Sequence, residues 1–131
     1  MGKTAFRSLA PLIACTALSG CANGQFGSIA ELFQTPAERK ISSGIRSYEN
    51  GNYREAIQLL QGGLDAGLLD EDDQVKAHKY LAFIYCVSDR ERQCRDEFRK
   101  ALDVDPTFEL DPTEAGHPTW GPAFRSVKTR R

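Results

Sequence analysis

The 131-residue chain is poor in histidine, in charge of one sign and in long apolar runs. No stretch reaches the roughly 20 apolar residues that span a bilayer as a helix. Lys and Arg number 17 against 18 Asp and Glu. There is thus no basic field to attract phosphates, and nucleic acid is not an expected partner. The two histidines, His78 and His117, lie beside Lys79 and Pro118, where packing and turn roles suit them better than catalysis. The chain has no zinc-protease helix motif, no glycine-rich phosphate loop and no nucleophile elbow, and Ser42-Ser43 has no evident base. No enzymatic activity, cofactor, metal site or small-molecule substrate is expected. With 40% hydrophobic and 27% charged residues, the composition is that of a folded domain.

What is present begins at the N-terminus. Lys3 and Arg7 precede a mostly apolar run over residues 9–18, the order of a secretory signal peptide. Leu18-Ser19-Gly20-Cys21 then resembles the bacterial lipoprotein box, in which two small residues precede the cysteine that is lipidated. The resemblance implies cleavage after residue 20 and acylation of Cys21. With Ala22 rather than Asp next, it also implies sorting to the outer membrane, facing the periplasm. Each buried methylene of an acyl chain contributes about 0.8 kcal/mol, so several chains hold the protein at the bilayer surface. Losing Lys3 and Arg7 leaves 15 basic against 18 acidic residues, a net charge of −3. Residues 21–34 read as the lipidated terminus and a tether rich in small polar residues. Ile29, Leu32 and Phe33 are expected to form a short turn packed on the body.

From Thr35 the punctuation is helical. Thr35, Pro36 and Glu38 form a capping box for a helix running to about Asn50 and closed by Gly51. Asn52 and Glu55 open a second helix, with Ala56, Leu59, Leu60 and Leu64 on one stripe and Gly67 as terminator. A third is expected over residues 73–87, with Ala77, Leu81, Ile84 and Tyr85 facing inward. Ser88 and Glu91 supply a third capping box for a helix that carries Cys94, Phe98, Ala101 and Leu102 and stops before Pro106. Sustained period-two alternation occurs nowhere, so the fold class is all-α.

The two helix pairs repeat. Gly44, Ala56, Leu60 and Gly63 share mutual spacings with Ala82, Cys94, Phe98 and Ala101, 38 residues on. With Leu81, Tyr85 and Pro106, this resembles the tetratricopeptide (TPR) repeat, a 34-residue helix–turn–helix. The match is closest over residues 75–108. The first unit, about 37–70, departs from it, with Lys40 in the usual Trp place and Gly63 and Leu68 replacing Ala and Pro. Two units are fewer than such arrays normally need. Residues 109–128 are therefore expected to cap the second, through a short helix begun by Pro118 or Pro122 that carries Trp120, Phe124 and Val127.

Of the four cysteines, Cys15 leaves with the signal peptide and Cys21 carries lipid. Cys86 and Cys94 face each other across the second hairpin, and in an oxidising compartment they are expected to form a disulfide. Two buried reduced thiols are the alternative.

The TPR resemblance implies a partner groove lined by the first helix of each pair: Ile41, Ile45 and Tyr48, then Lys76, Lys79 and Phe83. The residues alone leave open whether Ile41, Ile45 and Phe83 are groove or core. Residues 75–128, through Pro106-Thr107-Phe108-Glu109-Leu110-Asp111-Pro112 and His117-Pro118-Thr119-Trp120-Gly121-Pro122, resemble the TssQ-type lipoproteins associated with type VI secretion. The expected function is a non-catalytic adaptor that docks an envelope protein, a type VI secretion component on this resemblance. The alternative is a structural lipoprotein that binds peptidoglycan through the basic residues 125–131.

Overall fold

The computed structural model describes residues 33–130. The signal peptide, Cys21, Ile29, Leu32 and Arg131 lie outside the described residues. Among the described residues six helices follow in order: α1 (Pro36–Glu49), α2 (Tyr53–Asp65), α3 (Glu71–Val87), α4 (Glu91–Val104), α5 (Pro112–Ala115) and α6 (Trp120–Lys128). Among the described residues there is no strand, and the fold is all-α. No helix among them is long and apolar enough to cross a membrane.

Each helix begins and ends for a local reason. At α1, the Glu38 N–H donates to Thr35 Oγ1 (3.2 Å) and the Thr35 N–H donates to Glu38 Oε2 (2.7 Å). Two of the four N–H groups that a helix start leaves unpaired are thereby satisfied. Gly51 at φ +77 then reverses the chain, a conformation open to glycine without steric penalty.

Two expected caps and one helix start differ. Asn52 is the N-cap of α2 by position, but its side chain makes no cap bond. Glu55 instead accepts from the Ser47 hydroxyl (3.1 Å), tying α2 to α1. Helix α3 starts at Glu71 rather than residue 73, because the Asp70 carboxylate accepts from the Asp73 N–H at 2.9 Å. Glu71, Asp72 and Asp73 thus occupy the first turn, where negative charge favours the helix dipole. Ser88 closes α3 instead of opening α4, its N–H donating to the Ile84 and Tyr85 carbonyls. Asp89 at φ +59 makes the reversal, as short polar side chains tolerate.

Within each hairpin, small residues let the helix backbones approach. Gly44, Ala56, Leu60 and Gly63 are all buried, as are Ala82, Cys94, Phe98 and Ala101. A Cβ on Gly44 would lie 2.8 Å from Leu60 Cγ, and one on Gly63 would lie 2.4 Å from Ile41 Cδ1. Helix α3 is the centre of the molecule, packed against α1, α2, α4 and α6. Residues 81–86 are buried in succession, the mark of a helix covered all round.

The cap covers the second hairpin. Phe124 meets Phe98 and Phe108 edge to face at 5.2 and 5.5 Å, and Ala123 and Val127 are buried beside it. Helix α6 begins at Trp120, neither at Pro118 nor at Pro122, and Pro122 falls in its first turn, where no intrahelical N–H is needed. Helix α5 was not expected at all. Pro112 starts it and the Glu114 carboxylate reaches back to the Asp111 N–H at 3.1 Å. Phe33 does not pack on the body; it is 83% exposed.

Cys86 and Cys94 bridge the α3–α4 turn as a disulfide, with Cα atoms 5.1 Å apart. Replacing both by alanine is expected to lower unfolding free energy by roughly 2–3 kcal/mol, from the chain entropy of a loop of about nine residues. Denaturant melts at equal protein concentration check this. Gly44→Ala is expected to destabilise by about 1–3 kcal/mol through overpacking against Leu60. Gly62→Ala, whose Cβ would meet only the Lys40 side chain at 3.5 Å or more, is expected to stabilise by about 0.5–1 kcal/mol through helix propensity. The same melts separate the two glycines by the sign of the change.

Candidate functional site

The first helices of the two hairpins, α1 and α3, lie side by side, and the face they share holds the six groove residues. The structure divides that set. Ile41 and Phe83 are each 2% exposed and belong to the core, so neither presents a docking surface. Ile41 fills the space that Gly63 leaves free. Phe83 lies beneath Trp120, the rings stacked at 4.4 Å and 22°.

Lys79 is also covered. Its ammonium pairs with the Glu114 carboxylate of α5 at 2.7 Å and lies over the rings of Tyr80 and Phe83 at 5.1 and 5.7 Å. The Trp120 indole N–H donates to the Glu114 carbonyl (2.9 Å), and His117 stacks on the Trp120 ring, planes 4° apart. The chain between Leu110 and Trp120 therefore lies across the C-terminal half of α3, where the repeat resemblance implies an open groove.

What stays accessible is narrower. Ile45 and Tyr48 are half-buried on α1, and Lys76 is exposed on α3, paired with Asp73 at 2.9 Å. Tyr80 and Tyr53 join them, though neither belonged to the expected set. Tyr53 and Tyr48 stack at 5.8 Å, and Tyr48 meets Tyr80 edge to face at 5.1 Å. Tyr80 continues the row to Phe83 at 5.9 Å. A signal for Tyr80 existed: residues 76, 80 and 83 fall on one helical stripe. Tyr53 had none, since it reaches Tyr48 only across the α1–α2 turn.

Burial pushes the Tyr48 phenol up from its ordinary value, and Tyr53, Tyr80 and the Glu114 carboxylate add to the shift. Its hydroxyl thus stays protonated and able to donate a hydrogen bond. The face offers a partner flat aromatic area with polar tips, the chemistry that concentrates binding energy at protein interfaces.

A second cluster lies between α3 and α4. His78 Nδ1 is 2.7 Å from Glu97 Oε2, and the Lys100 ammonium donates to Glu97 Oε1 at 2.7 Å. Glu97 is buried. Burial pushes its carboxyl up, but the hydrogen bonds and charges of His78 and Lys100 outweigh that and hold it below the ordinary glutamate range. Oε2 joins α4 to His78 of α3, while Oε1 is held within α4 by Lys100, so both carboxylate oxygens are paired and the His78 contact clamps the two helices.

The basic runs are also engaged. On α4, Arg95 pairs with Glu91 and Arg99 with Asp96. In the tail, Arg125 donates to the Ala115 carbonyl at 3.0 Å, and Lys128 donates to the Phe108 carbonyl at 2.9 Å and pairs with Glu109. These contacts fasten α6 to the loop before it. Among the described residues no group of three His, Cys, Asp or Glu side chains is placed to hold a metal ion.

A depressed carboxyl stabilises the fold above the unfolded glutamate pKa of about 4.3 and loses that contribution as pH falls through the folded value. Lowering the pH from 6 to 3 is therefore expected to destabilise the wild type more than Glu97→Gln. At pH 6 the substitution itself is expected to cost about 1–3 kcal/mol. Urea midpoints across the pH range check both. Comparison of the chain with protein-family models, with curated proteins and with solved structures finds no match.

Proposed function

We propose that the protein is a non-catalytic adaptor, tied through acylated Cys21 to the periplasmic face of the outer membrane, whose TPR-like body docks another envelope protein. The lipoprotein-box resemblance at Leu18-Ser19-Gly20-Cys21 supports the anchor. The docking reading rests on one observation, the row Tyr53–Tyr48–Tyr80 left accessible on α1, α3 and the start of α2 while the rings beyond it are buried by the cap. Large, stiff aromatic side chains with hydroxyl tips gain contact area at little entropic cost. The likeness of residues 75–128 to TssQ-type lipoproteins favours a component of a type VI secretion system as the partner.

The alternative, a structural lipoprotein that holds peptidoglycan through residues 125–131, has less support. Arg125 and Lys128 are occupied in holding the cap.

A photo-crosslinking amino acid at position 80 is expected to capture one defined envelope protein in cells, while the same group at Arg92, exposed on α4, captures none. Tyr48→Ala is expected to weaken that complex at least about tenfold, roughly 1.4 kcal/mol, in a binding titration with the captured protein. Co-sedimentation with purified sacculi in place of any capture would favour the wall-binding alternative.

A further inference from the structure

The large apolar side chains left exposed on the body are not spread evenly. Leu69 is 92% and Phe33 83% exposed, against 39% for Tyr53 and 38% for Val87. Leu69 lines a cleft together with Thr35, Pro36, Ala37 and Glu38 at the start of α1 and Ala66 and Gly67 after α2, the Glu38 carboxylate being tied back to the Thr35 N–H. Phe33 precedes Thr35 by two residues, so both apolar side chains stand at the end of the molecule where α1 begins. Tyr53 and Val87 belong to the opposite end, at the α1–α2 turn and the C-terminus of α3.

The local backbone produces the exposure. Gly67 at φ +82 turns the chain so that Leu68 enters the core at 6% exposure, and Leu69, next in sequence, points outward. One exposed leucine needs no explanation. Two nearly bare apolar side chains beside one cleft, at the end from which the chain runs back to Cys21, do need one. Cys21 lies 14 positions before Thr35. Even fully extended, that segment spans no more than about 50 Å.

We infer that this end of the body is a lipid-contacting surface, with Phe33 and Leu69 as the inserting side chains and a zwitterionic membrane as the occupant. The inference rests on the acylation of Cys21 proposed above. Once the anchor holds the chain at a bilayer, the second contact is intramolecular, and a contact too weak to bind from solution becomes populated at an effective concentration in the millimolar range. Charge selects the lipid. Asp65, Asp70, Glu71 and Asp72 are exposed around this end against the two exposed cations Arg39 and Lys40, and anionic headgroups repel the excess of negative charge.

The test uses the acylated protein matured in cells from the full chain. With Cys21 acylated and Cys86 paired with Cys94, Leu69→Cys and Phe33→Cys each introduce one free thiol for an environment-sensitive fluorophore, and Tyr53→Cys serves as the opposite-end control. All three positions are exposed, so the fold tolerates the label. In phosphatidylcholine vesicles containing nitroxide lipids, labels at 69 and 33 are expected to be quenched about threefold more than the label at 53, reflecting insertion to the headgroup boundary. Exchanging part of the phosphatidylcholine for phosphatidylglycerol at low ionic strength is expected to weaken that quenching. Equal, weak quenching at all positions of vesicle-bound, acylated protein overturns the inference and leaves the anchor intact. A label at 69 that is shielded from water but not quenched shows that another part of the chain or a second copy covers the cleft, and also overturns it. A mature protein whose mass shows no acyl chains removes the anchor, and the inference with it.

Discussion

A stack of only two helix hairpins leaves the outer side of its last pair uncovered, and here α3 and α4 carry too much apolar surface to be left in water. Phe83, Phe98 and Leu102 are at most 2% exposed because residues 108–127 fold back over them. Trp120 stacks on Phe83, Phe124 abuts Phe98, and Lys79 reaches Glu114 from the groove side. Burying several aromatic side chains, at about 1.5–3 kcal/mol each, is the largest gain open to an array this short. Much of the remaining architecture serves to hold that flap in place. Gly121, where a Cβ would lie 2.4 Å from the Ala115 carbonyl oxygen, allows α6 to pass close to α5. Arg125 and Lys128 fix the connection from both sides.

The same solution limits the open surface. The flap takes the C-terminal half of the α3 face, so what stays accessible of that face lies towards α1. That explains why Phe83 is core whereas Tyr48 and Tyr80 are half exposed; Ile41 is core for another reason, its packing against Gly63 of α2. The first two cations of the basic tail, Arg125 and Lys128, likewise serve as ties. Polar groups inside the body are there to orient helices. Glu97, buried between His78 and Lys100, sets how α3 and α4 meet, and a buried carboxylate is tolerable only because both its oxygens are paired.

Much of the helical layout is readable without coordinates, since it is written in short-range chemistry. Thr35-Pro36-Ala37-Glu38 opens α1 by hydrogen bonds within four residues, and Gly51 and Gly67 close helices by a backbone freedom that belongs to glycine. The small residues at 44, 56, 82 and 94 mark the positions of close helix approach. Where the reading of caps failed, two local solutions competed. Ser88 could open α4 or close α3, and the left-handed Asp89 tipped the balance to closure. Helix α5 was hidden for a related reason, as a four-residue helix that begins at Pro112 and stops before Gly116 carries no periodicity.

The chain by itself determined its all-helical class, its two hairpins and the pairing distance of Cys86 and Cys94, because each follows from contacts among residues near in sequence. Only the tertiary structure decided which groove residues face water, since Phe83 and Lys79 are covered by side chains some 35 residues further on. It likewise decided that Tyr53 joins Tyr48 and that His78 meets Glu97. A helical stripe says which residues share a side, but what covers that side depends on where a distant segment comes to rest.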